Sequence, residues 1–384
     1  MRGVQLTAVG LWGLLAWAGQ EFPAQPNEQV VNGQFIVRLR PAASASVIQS
    51  YLPGATVTPL SHLNLNLVRT AAVPGAVTQL AADSMIDFVE PNRIRHTTVA
   101  APNDTYYSQQ WALQTVQALQ AWTAWPNFYR TAATTGNRIT VAVLDTGVDC
   151  THPDFMNTGG TSTNSAQGGQ LLWSGSQAPI ATTISSPACP WQDDYGHGTH
   201  VAGTIAAATN NAAGVAGLAY QVQVMVFKVL DNTGSGDDVT ISNAIMSATD
   251  NGAQIVSLSL GGAGYSQALQ TAVNYAWQHN VLVVAAAGNS TSSALFYPAD
   301  ANYAVAVSAT DSNNNLASFS NFGPYIGVAA PGVSIASTVP TYSNPLGVTN
   351  YAYMSGTSMA TPHASAVAGL IAMTTPTASA AAIL

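Results

Sequence analysis

The fold is decided by an apolar run at residues 139–149, which reads ITVAVLDTGVD. Residues 139–144 carry no charge and are mostly aliphatic, and Asp145 ends the run. A strand without polar alternation is typical of a parallel sheet covered on both faces. Four later runs have the same character, at residues 222–231, 253–262, 281–289 and 303–311.

Helical segments separate these runs. They are predicted at residues 200–209, 239–251, 266–279 and 359–373. The alternation predicts an α/β domain built on an open, mostly parallel sheet with helices on both faces. In such a sheet, reactive groups gather at the carboxyl ends of the strands.

Charge is scarce and unevenly placed. Only 7% of the residues are charged, against about 25% in an average soluble protein. Residues 101–384 hold three basic residues (Arg130, Arg138 and Lys228) against twelve aspartates and no glutamate. A segment this acidic is not expected to bind nucleic acid, because such binding depends on basic side chains that release counterions.

The first residues predict export. Residues 1–20, MRGVQLTAVGLWGLLAWAGQ, combine one arginine, a short apolar run and the small-residue site AWA, as in a secretory signal peptide. The alternative is a buried N-terminal helix. No later stretch is long and apolar enough to cross a bilayer, so no membrane association is expected after signal removal. In a secreted protein, the two cysteines, Cys150 and Cys189, are expected to form a disulfide.

A second, smaller unit precedes the α/β domain. Across residues 28–98, short alternating strands at 34–40 and 87–95 flank helical stretches at 44–51 and 76–84. This pattern predicts a small α+β unit of ferredoxin-like type. Residues 97–107, TTVAAPNDTYY, read as an exposed linker, so the larger domain is expected to span residues 101–384. A glycine- and serine-rich loop insertion is expected at residues 157–186.

Four polar residues stand at exposed ends of the predicted elements: Asp145, His197, Asn289 and Ser358. A serine hydroxyl becomes nucleophilic when a histidine removes its proton and a carboxylate orients the imidazole. An asparagine side chain and the N–H groups of a helix N-terminus can stabilise an oxyanion. A zinc protease of the helical type is excluded, because it needs histidines at i and i+4 with a glutamate between them. Here His197 and His200 are three residues apart.

The motifs DTGVD, HGTHVAGT, AAAGN and GTSMATPH, in this order, resemble the subtilisin-like serine proteases, and especially their thermitase-like branch. The resemblance runs from Asn103 to Ala372. It implies a serine endopeptidase that hydrolyses extended protein substrates. In that scheme Asp145 orients the imidazole, His197 is the general base and acid, Ser358 is the nucleophile and Asn289 donates to the oxyanion. His200 is expected to make a structural hydrogen bond.

The resemblance also implies a substrate site. Ser259, Leu260 and Gly261 would pair with an extended substrate, while Ala286, Ala287 and Gly288 would form a wall of the primary pocket. Phe296 would reach the floor of that pocket, where the family often has something smaller. Large aromatic side chains are therefore expected to fit poorly.

A structural calcium site is implied by further matches. Its ligands would be side chains of Asp104, Asp154 and Asn211 with backbone carbonyls near Ala208, Ala213 and Val215. Hard oxygen donors of this kind suit Ca²⁺. The alternative is ordinary turn capping by Asn and Asp. Hydrogen-bonding roles in loops and caps are expected for Asp149, His152, Asp193, Asp194 and His363.

Residues 34–96 resemble the inhibitory prodomain of the family, which implies a zymogen that cleaves itself between about His96 and Asn103. The expected product is a monomer whose own prodomain is its intramolecular inhibitor. The family usually continues well past the nucleophile helix, whereas this chain ends at Leu384, so exposed apolar surface is expected there. The competing interpretation is a catalytically silent relative that acts as a binding or processing scaffold.

Overall fold

A computed structural model describes residues 16–17, 20–21, 30–60, 63–71, 74–93, 100–124, 138–156, 169–172, 189, 191–375 and 378–384. The chain divides into two compact units, Met1–Thr97 and Thr98–Leu384. Two predicted segments fall largely outside the described residues, the signal peptide (1–20) and the loop insertion (157–186), and the first half of the cleavage junction (96–103) does so as well. The first unit includes a short antiparallel pair, β1 (Ala16–Trp17) and β2 (Gln20–Glu21).

The rest of the first unit is an antiparallel sheet with two helices. Its elements in chain order are β3 (Val30–Leu39), α1 (Ser46–Tyr51), β4 (Thr56–Pro59), β5 (Leu65–Arg69), α2 (Pro74–Ala81) and β6 (Ile86–Arg93). The strand order β4-β5-β3-β6 is that of a ferredoxin-like fold. Alternate residues of β3, Phe35, Val37 and Leu39, are buried in its core because successive strand residues point to opposite faces. The sequence pattern did not predict β4 and β5.

The second unit is built on a seven-stranded sheet. Its strands are β7 (Thr140–Asp145), β8 (Leu171–Leu172), β9 (Gln223–Lys228), β10 (Ile255–Leu258), β12 (Leu282–Ala286), β14 (Ala304–Thr310) and β15 (Ile326–Pro331). They lie in the order β15-β14-β12-β10-β7-β9-β8, and every neighbouring pair is parallel. The predicted α/β fold is thus confirmed.

Helices cover both faces of this sheet. They are α3 (Trp111–Thr115), α4 (Ala118–Ala124), α5 (His197–Ala206), α6 (Asp238–Asp250), α7 (Gln267–Gln278), α8 (Thr357–Thr374) and α9 (Ala380–Ile383). Residues of α5 and α8 join Val141 and Val143 of β7 in one apolar core. Residues of α6 and α7 join Ala142 and Leu144 in a second core. The unbroken apolar character of β7 follows from this burial on both sides.

Two small antiparallel pairs complete the second unit. Strand β11 (Gly262–Ala263) pairs with β13 (Phe296–Tyr297), and β16 (Ile335–Val339) pairs with β17 (Asn350–Met354). The sequence pattern predicted neither pair. The predicted helix at 200–209 was wrong in its bounds, because α5 begins at His197 and ends at Ala206. In the described part of the chain, no helix has both the length and the apolar character needed to cross a membrane.

Candidate active site

The sheet topology brings the predicted residues to one edge. Asp145 ends β7, Ser259 follows β10 and Asn289 follows β12. Strand β7 has β9 on one side and β10 on the other, so the strand order changes direction there. A crevice forms outside the carboxyl ends of parallel strands at such a point. His197 is the first residue of α5, and Ser358 is the second residue of α8.

The carboxylate of Asp145 is hydrogen-bonded to the imidazole of His197. Nδ1 of His197 donates to Oδ1 of Asp145 at 2.8 Å, and the two side chains are 15% and 1% exposed. Burial lowers the pKa of His197, but the charge and hydrogen bond of Asp145, with the charge of Asp193, outweigh burial, so the pKa is raised above its ordinary value. With Nδ1–H committed to Asp145, the lone pair of the neutral ring lies on Nε2.

Asp193 holds the start of α5 against the end of β7. Its Oδ1 accepts from the backbone N–H of Gly196 at 2.7 Å and from the hydroxyl of Thr146 at 2.8 Å. Its Oδ2 accepts from the N–H and hydroxyl of Thr199 at 2.9 and 2.6 Å. Gly198 fits here because a β-carbon would overlap the carbonyl of the loop after Asp145. The Asp193 carboxylate therefore fixes the position of the His197 imidazole.

A buried ion pair supports the same loops. Nζ of Lys228 donates to Oδ1 of Asp194 at 2.6 Å and to the carbonyls of Thr146 and Leu230 at 2.7 and 3.0 Å. The side chains of Lys228 and Asp194 are 0% and 2% exposed. All three donors of the ammonium group are used, as a buried charge requires. Sequence reasoning missed this pair, although a lysine inside an apolar strand run was a visible signal.

The Ser358 hydroxyl contacts Ser259. Ser358 Oγ donates to the carbonyl of Ser259 at 3.0 Å, and Ser259 Oγ donates to the carbonyl of Ser358 at 2.8 Å. Among the described residues, no hydrogen bond joins Ser358 to His197. Ser259 and His197 nevertheless line the same cleft, whose volume is about 480 Å³. Asp145 and Ser358 thus each contact a residue that lines this cleft, Asp145 through His197 and Ser358 through Ser259, and the Ser358 hydroxyl is turned toward the carbonyl of Ser259.

The amide of Asn289 is oriented by the start of α8. Its Oδ1 accepts from the N–H and hydroxyl of Thr357 at 2.8 and 3.0 Å, which leaves Nδ2 as the outward donor. A β-carbon placed on Gly356 would lie 3.5 Å from Nδ2 of Asn289 and 3.6 Å from the backbone N of Ser358. Since Gly356 has no β-carbon, two donors border an open space at a helix N-terminus.

The predicted substrate segment lies along the cleft. Ser259, Leu260 and Gly261 follow β10 and line the cleft. The Phe296 ring lies against two glycines: β-carbons added at Gly261 and Gly288 would stand 2.5 and 3.1 Å from its atoms. The two other predicted wall residues, Ala286 and Ala287, are buried. Phe296 thus fills space between the segment after β10 and the segment after β12.

The sequence model of the subtilase family matches residues 136–383. The chain belongs to the subtilase family. It is 43% identical over 272 residues to thermitase of Thermoactinomyces vulgaris, which covers 71% of this chain and 85% of thermitase. It is 37% identical over 348 residues to a thermophilic serine proteinase of Bacillus sp. (strain AK1), covering 89% of this chain and 78% of that protein. A solved protease structure from Pseudoalteromonas arctica PAMC 21717 is 31% identical, with a TM-score of 0.60, covering 74% of this chain and 90% of that chain. The resemblance to the thermitase-like branch is confirmed, and the chain is a serine endopeptidase.

The predicted calcium ligands of this subtilase lie in one cluster of loops. Asp154 Oδ1 accepts from Nδ2 of Asn211 at 2.9 Å, and Asp154 Oδ2 accepts from the N–H of Val215 at 2.9 Å. Oδ1 of Asp104 accepts from the N–H of Asn211 at 3.5 Å. The N–H of Ala208 donates to the carbonyl of Asp154 at 2.6 Å, and that of Ala213 to Oδ1 of Asn211 at 3.0 Å.

Both carboxyls of this cluster are buried. Burial raises the pKa of Asp154 to about 7, against hydrogen bonds from Val215 and Asn211, and the charge of Asp104 adds to the increase. Burial likewise raises the pKa of Asp104. Within the described residues, no group of three His, Cys, Asp or Glu side chains could hold a metal ion. Any cation here would therefore depend on two carboxylates and on amide and carbonyl oxygens.

The subtilase contains the predicted disulfide between Cys150 and Cys189, whose Cα atoms are 5.8 Å apart.

His200 donates through Nε2 to the carbonyls of Ile335 and Ala352 at 2.9 and 3.3 Å. Burial, with the charge of His197, lowers the pKa of His200 to about 3, so His200 is neutral and its contacts are structural. The remaining polar residues near the motifs also contact the backbone: Asp149 accepts from Thr341 N, His152 contacts Asn350 O and His363 contacts Met359 O.

Proposed function

We propose that this subtilase is a secreted endopeptidase that cleaves protein chains through Asp145, His197 and Ser358 and that is made as a self-processed zymogen. The observation that carries the proposal is the 2.8 Å hydrogen bond between Asp145 and the imidazole of His197. His197 lines a cleft that is also lined by Ser259, the hydrogen-bond partner of Ser358. A carboxylate, an imidazole and a hydroxyl that meet at the carboxyl edge of a sheet can perform acyl transfer.

In the proposed reaction, Ser358 Oγ attacks the substrate carbonyl carbon while its proton moves to His197 Nε2. That proton passes to the leaving nitrogen as the peptide C–N bond breaks, and an acyl ester remains on Ser358. Water then attacks the ester and gives one proton to Nε2. The proton returns to Ser358 Oγ as the carboxylic acid product leaves. Asp145 stays ionised throughout and stabilises the imidazolium.

The hydroxyl must turn before it reacts. Ser358 Oγ donates to the carbonyl of Ser259 in the resting structure. A serine side chain moves between staggered rotamers by rotation about one bond, a step much faster than ordinary turnover. The Ser358 side chain is half-buried rather than packed on every side, which permits this rotation. His197 Nε2 then becomes its acceptor.

Two donors would stabilise the tetrahedral intermediate. Asn289 Nδ2 and the N–H of Ser358 border the space beside Gly356, at 3.5 and 3.6 Å from where a β-carbon would lie. Thr357 holds the Asn289 amide through Oδ1, so the donor is oriented before substrate arrives. Removal of one such donor costs about 10²–10³-fold in kcat in related chemistry. That magnitude comes from the oxyanion asparagine of subtilisin itself.

Phe296 would restrict the primary pocket to small side chains. Its ring occupies the space beside Gly261 and Gly288, so a large aromatic side chain of the substrate would collide with it. The proposed self-cleavage region contains TTVAA at residues 97–101, which are all small or β-branched. A protease with a narrow pocket can accept such a site in its own chain.

The first unit would be the prodomain. Two observations support this proposal: the first unit is a separate ferredoxin-like unit, and it ends at Thr97, before the subtilase domain in the sequence. N-terminal sequencing of the secreted protein tests this. We expect a start between His96 and Asn103 for wild type, and for Ser358→Ala a chain that has lost the signal peptide but keeps residues 28–98. A wild-type protein that is unprocessed, or that starts far from residue 100, would contradict it.

Secretion is supported by the signal-like first 20 residues and by a disulfide, which persists in oxidising compartments. The donor set of the Asp104–Asp154–Asn211 cluster fits Ca²⁺, because two buried carboxylates both contact Asn211, one at its side-chain amide and one at its backbone N–H, and no described cation offsets them. Asp104, Asp154 and Asn211 would hold the ion, with carbonyls near Ala208, Ala213 and Val215. A bound Ca²⁺ would supply a structural link between these loops.

An activity assay tests the proposal. Wild-type protein, Ser358→Ala and the matched control Ser312→Ala, on an exposed loop, are compared on casein and on a short chromogenic peptide. Activity should fall by about 10⁶-fold in Ser358→Ala and stay unchanged in Ser312→Ala. Equal activity in all three proteins would favour the scaffold interpretation, with a contaminating protease responsible for cleavage.

A further inference from the structure

The cleft beside His197 has an apolar floor. Leu230, Ile241 and Leu269 line it and are each less than 10% exposed, and Leu260 lies along the same wall. A cleft of about 480 Å³ lies within the range of volumes that bind small ligands or side chains. The floor therefore favours the aliphatic part of a substrate side chain.

Asp238 is the one acidic residue that lines this cleft in the described part of the chain. It is exposed and is the first residue of α6. Its carboxylate makes no hydrogen bond or ion pair with any described residue. Two neighbouring aspartates differ: Asp237 caps α6 through Val239 N and Thr240 N, and Asp231 accepts from Thr233 N and Ser235 N. Asp238 alone has a carboxylate free to face the cleft.

Nearby protein cations are not available to Asp238. In the second unit, the described lysine and arginine residues are Lys228 and Arg138. Lys228 is fully buried and paired with Asp194. Arg138 donates to the carbonyls of Gln221, Gly169 and Val222. The charge of Asp238 is therefore left to solvent or to whatever occupies the cleft.

We propose that Asp238 makes this cleft select substrates that place a lysine or arginine side chain in it. This proposal rests on the proposed function and names a substrate class for the same site. The aliphatic stem would lie on Leu230 and Ile241, and the cationic head would meet the Asp238 carboxylate at the rim. Long basic side chains commonly bury their stems on apolar surface while the charge stays in water. An apolar floor with a single acid at its edge matches that shape.

A structural role for Asp238 makes a different prediction. A carboxylate in the first turn of a helix interacts favourably with the helix dipole. If that were its whole role, loss of the charge would lower stability and leave substrate selectivity unchanged. The test therefore has to measure a selectivity ratio.

Internally quenched octapeptides of alanine and glycine serve as substrates, with one lysine, norleucine or glutamate moved along the sequence. Mass spectrometry locates each cleavage, and kcat/KM is measured for wild type, Asp238→Asn, Asp238→Lys and Asp250→Asn. The last variant removes the same charge at the other end of α6, about 18 Å away. At one position, wild type should prefer lysine to norleucine by about two- to fivefold, the range of one exposed ion pair.

Asp238→Asn should abolish that preference, Asp238→Lys should transfer it to glutamate, and Asp250→Asn should retain it. The wild-type preference should also shrink as the salt concentration rises from about 0.05 to about 0.5 M, because exposed charges are screened. An equal lysine to norleucine ratio in wild type and Asp238→Asn at every position would overturn the proposal. If the peptides are still cleaved in that case and a serine-directed sulfonyl fluoride blocks the cleavage, the proposed function stands without the selectivity proposal. If no cleavage of that kind is found, both proposals are refuted.

Discussion

Ser259 and Ser358 exchange two hydrogen bonds, in which the hydroxyl of each donates to the backbone carbonyl of the other at 2.8 and 3.0 Å. The pair joins the segment after β10 to the first turn of α8, so one contact places both the proposed substrate-pairing segment and the proposed nucleophile. It also means that the resting hydroxyl is bonded to a carbonyl rather than to His197. The proposed reaction then begins with a rotation of the Ser358 side chain away from this carbonyl.

The raised pKa of His197 predicts the acid limb of the pH profile. Only the neutral imidazole can accept the Ser358 proton, so kcat/KM should rise with pH through a pKa above the ordinary value of about 6.5. Asp145→Asn removes the main group that favours the charged ring, so the limb should move to lower pH. The plateau should fall by about 10⁴-fold, as in known triads. Rate measurements between pH 5 and 10 check this, with Asp250→Asn as the control; a limb below pH 6 in wild type would contradict it.

Truncation of Phe296 should widen the primary pocket. In Phe296→Ala, the ratio of kcat/KM for a peptide with phenylalanine before the cleaved bond to that for its alanine analogue should rise by about 10- to 100-fold. The physical reason is removal of the ring that lies against Gly261 and Gly288. Tyr303→Ala, which truncates an exposed aromatic residue, is the control. An unchanged ratio would show that the ring does not border the pocket.

Calcium should stabilise the protein through Asp154. In the Ser358→Ala background, which prevents self-digestion, Ca²⁺ at about 100 times its Kd should raise the free energy of unfolding by about 2.7 kcal/mol relative to chelator. Asp154→Ala should remove the difference, whereas Asp250→Ala should keep it. Thermal unfolding followed by circular dichroism, with calorimetric titration of Ca²⁺, measures both. Equal unfolding temperatures with Ca²⁺ and chelator would contradict the site.

The disulfide should contribute mainly through the unfolded chain. Cys150 and Cys189 are 39 residues apart in sequence, and closing a loop of this length stabilises the fold by about 4 kcal/mol in the chain-entropy treatment. The double variant Cys150→Ser/Cys189→Ser, again in the Ser358→Ala background, should lose stability of that order. Urea unfolding measures the loss. A midpoint equal to that of the parent would mean that the bridge adds nothing.

The central strands were predictable because they are buried on both sides. In runs such as residues 139–145, polar and apolar residues do not alternate, and these runs form β7 and its parallel neighbours. Strand β15 was missed because it lies at the edge of the sheet, where Gly327, Val328 and Ala329 are exposed. An edge strand buries less of its surface, so its sequence lacks the continuous apolar signal.

The sequence motifs predicted which side chains come together at the site. Their hydrogen-bond partners depend on tertiary contacts. Asp145 and His197 are 52 residues apart, and their motifs placed each at the end of an element, which is enough to predict an encounter. The partner of the Ser358 hydroxyl depends on a rotamer, and the pairing of Lys228 with Asp194 depends on how two loops pack. The position of Asp238 above an apolar floor likewise requires several elements to converge. Lys228 stands out within its apolar run, but neither its partner, nor the rotamer of Ser358, nor the place of Asp238 has a local sequence pattern.

Mass mapping of the protein after reaction with phenylmethylsulfonyl fluoride tests the nucleophile most directly. We expect one adduct, on Ser358 and not on Ser259, formed in step with loss of activity and absent from Ser358→Ala. Complete inactivation with the adduct on another residue, or full activity in protein fully modified at Ser358, would contradict it.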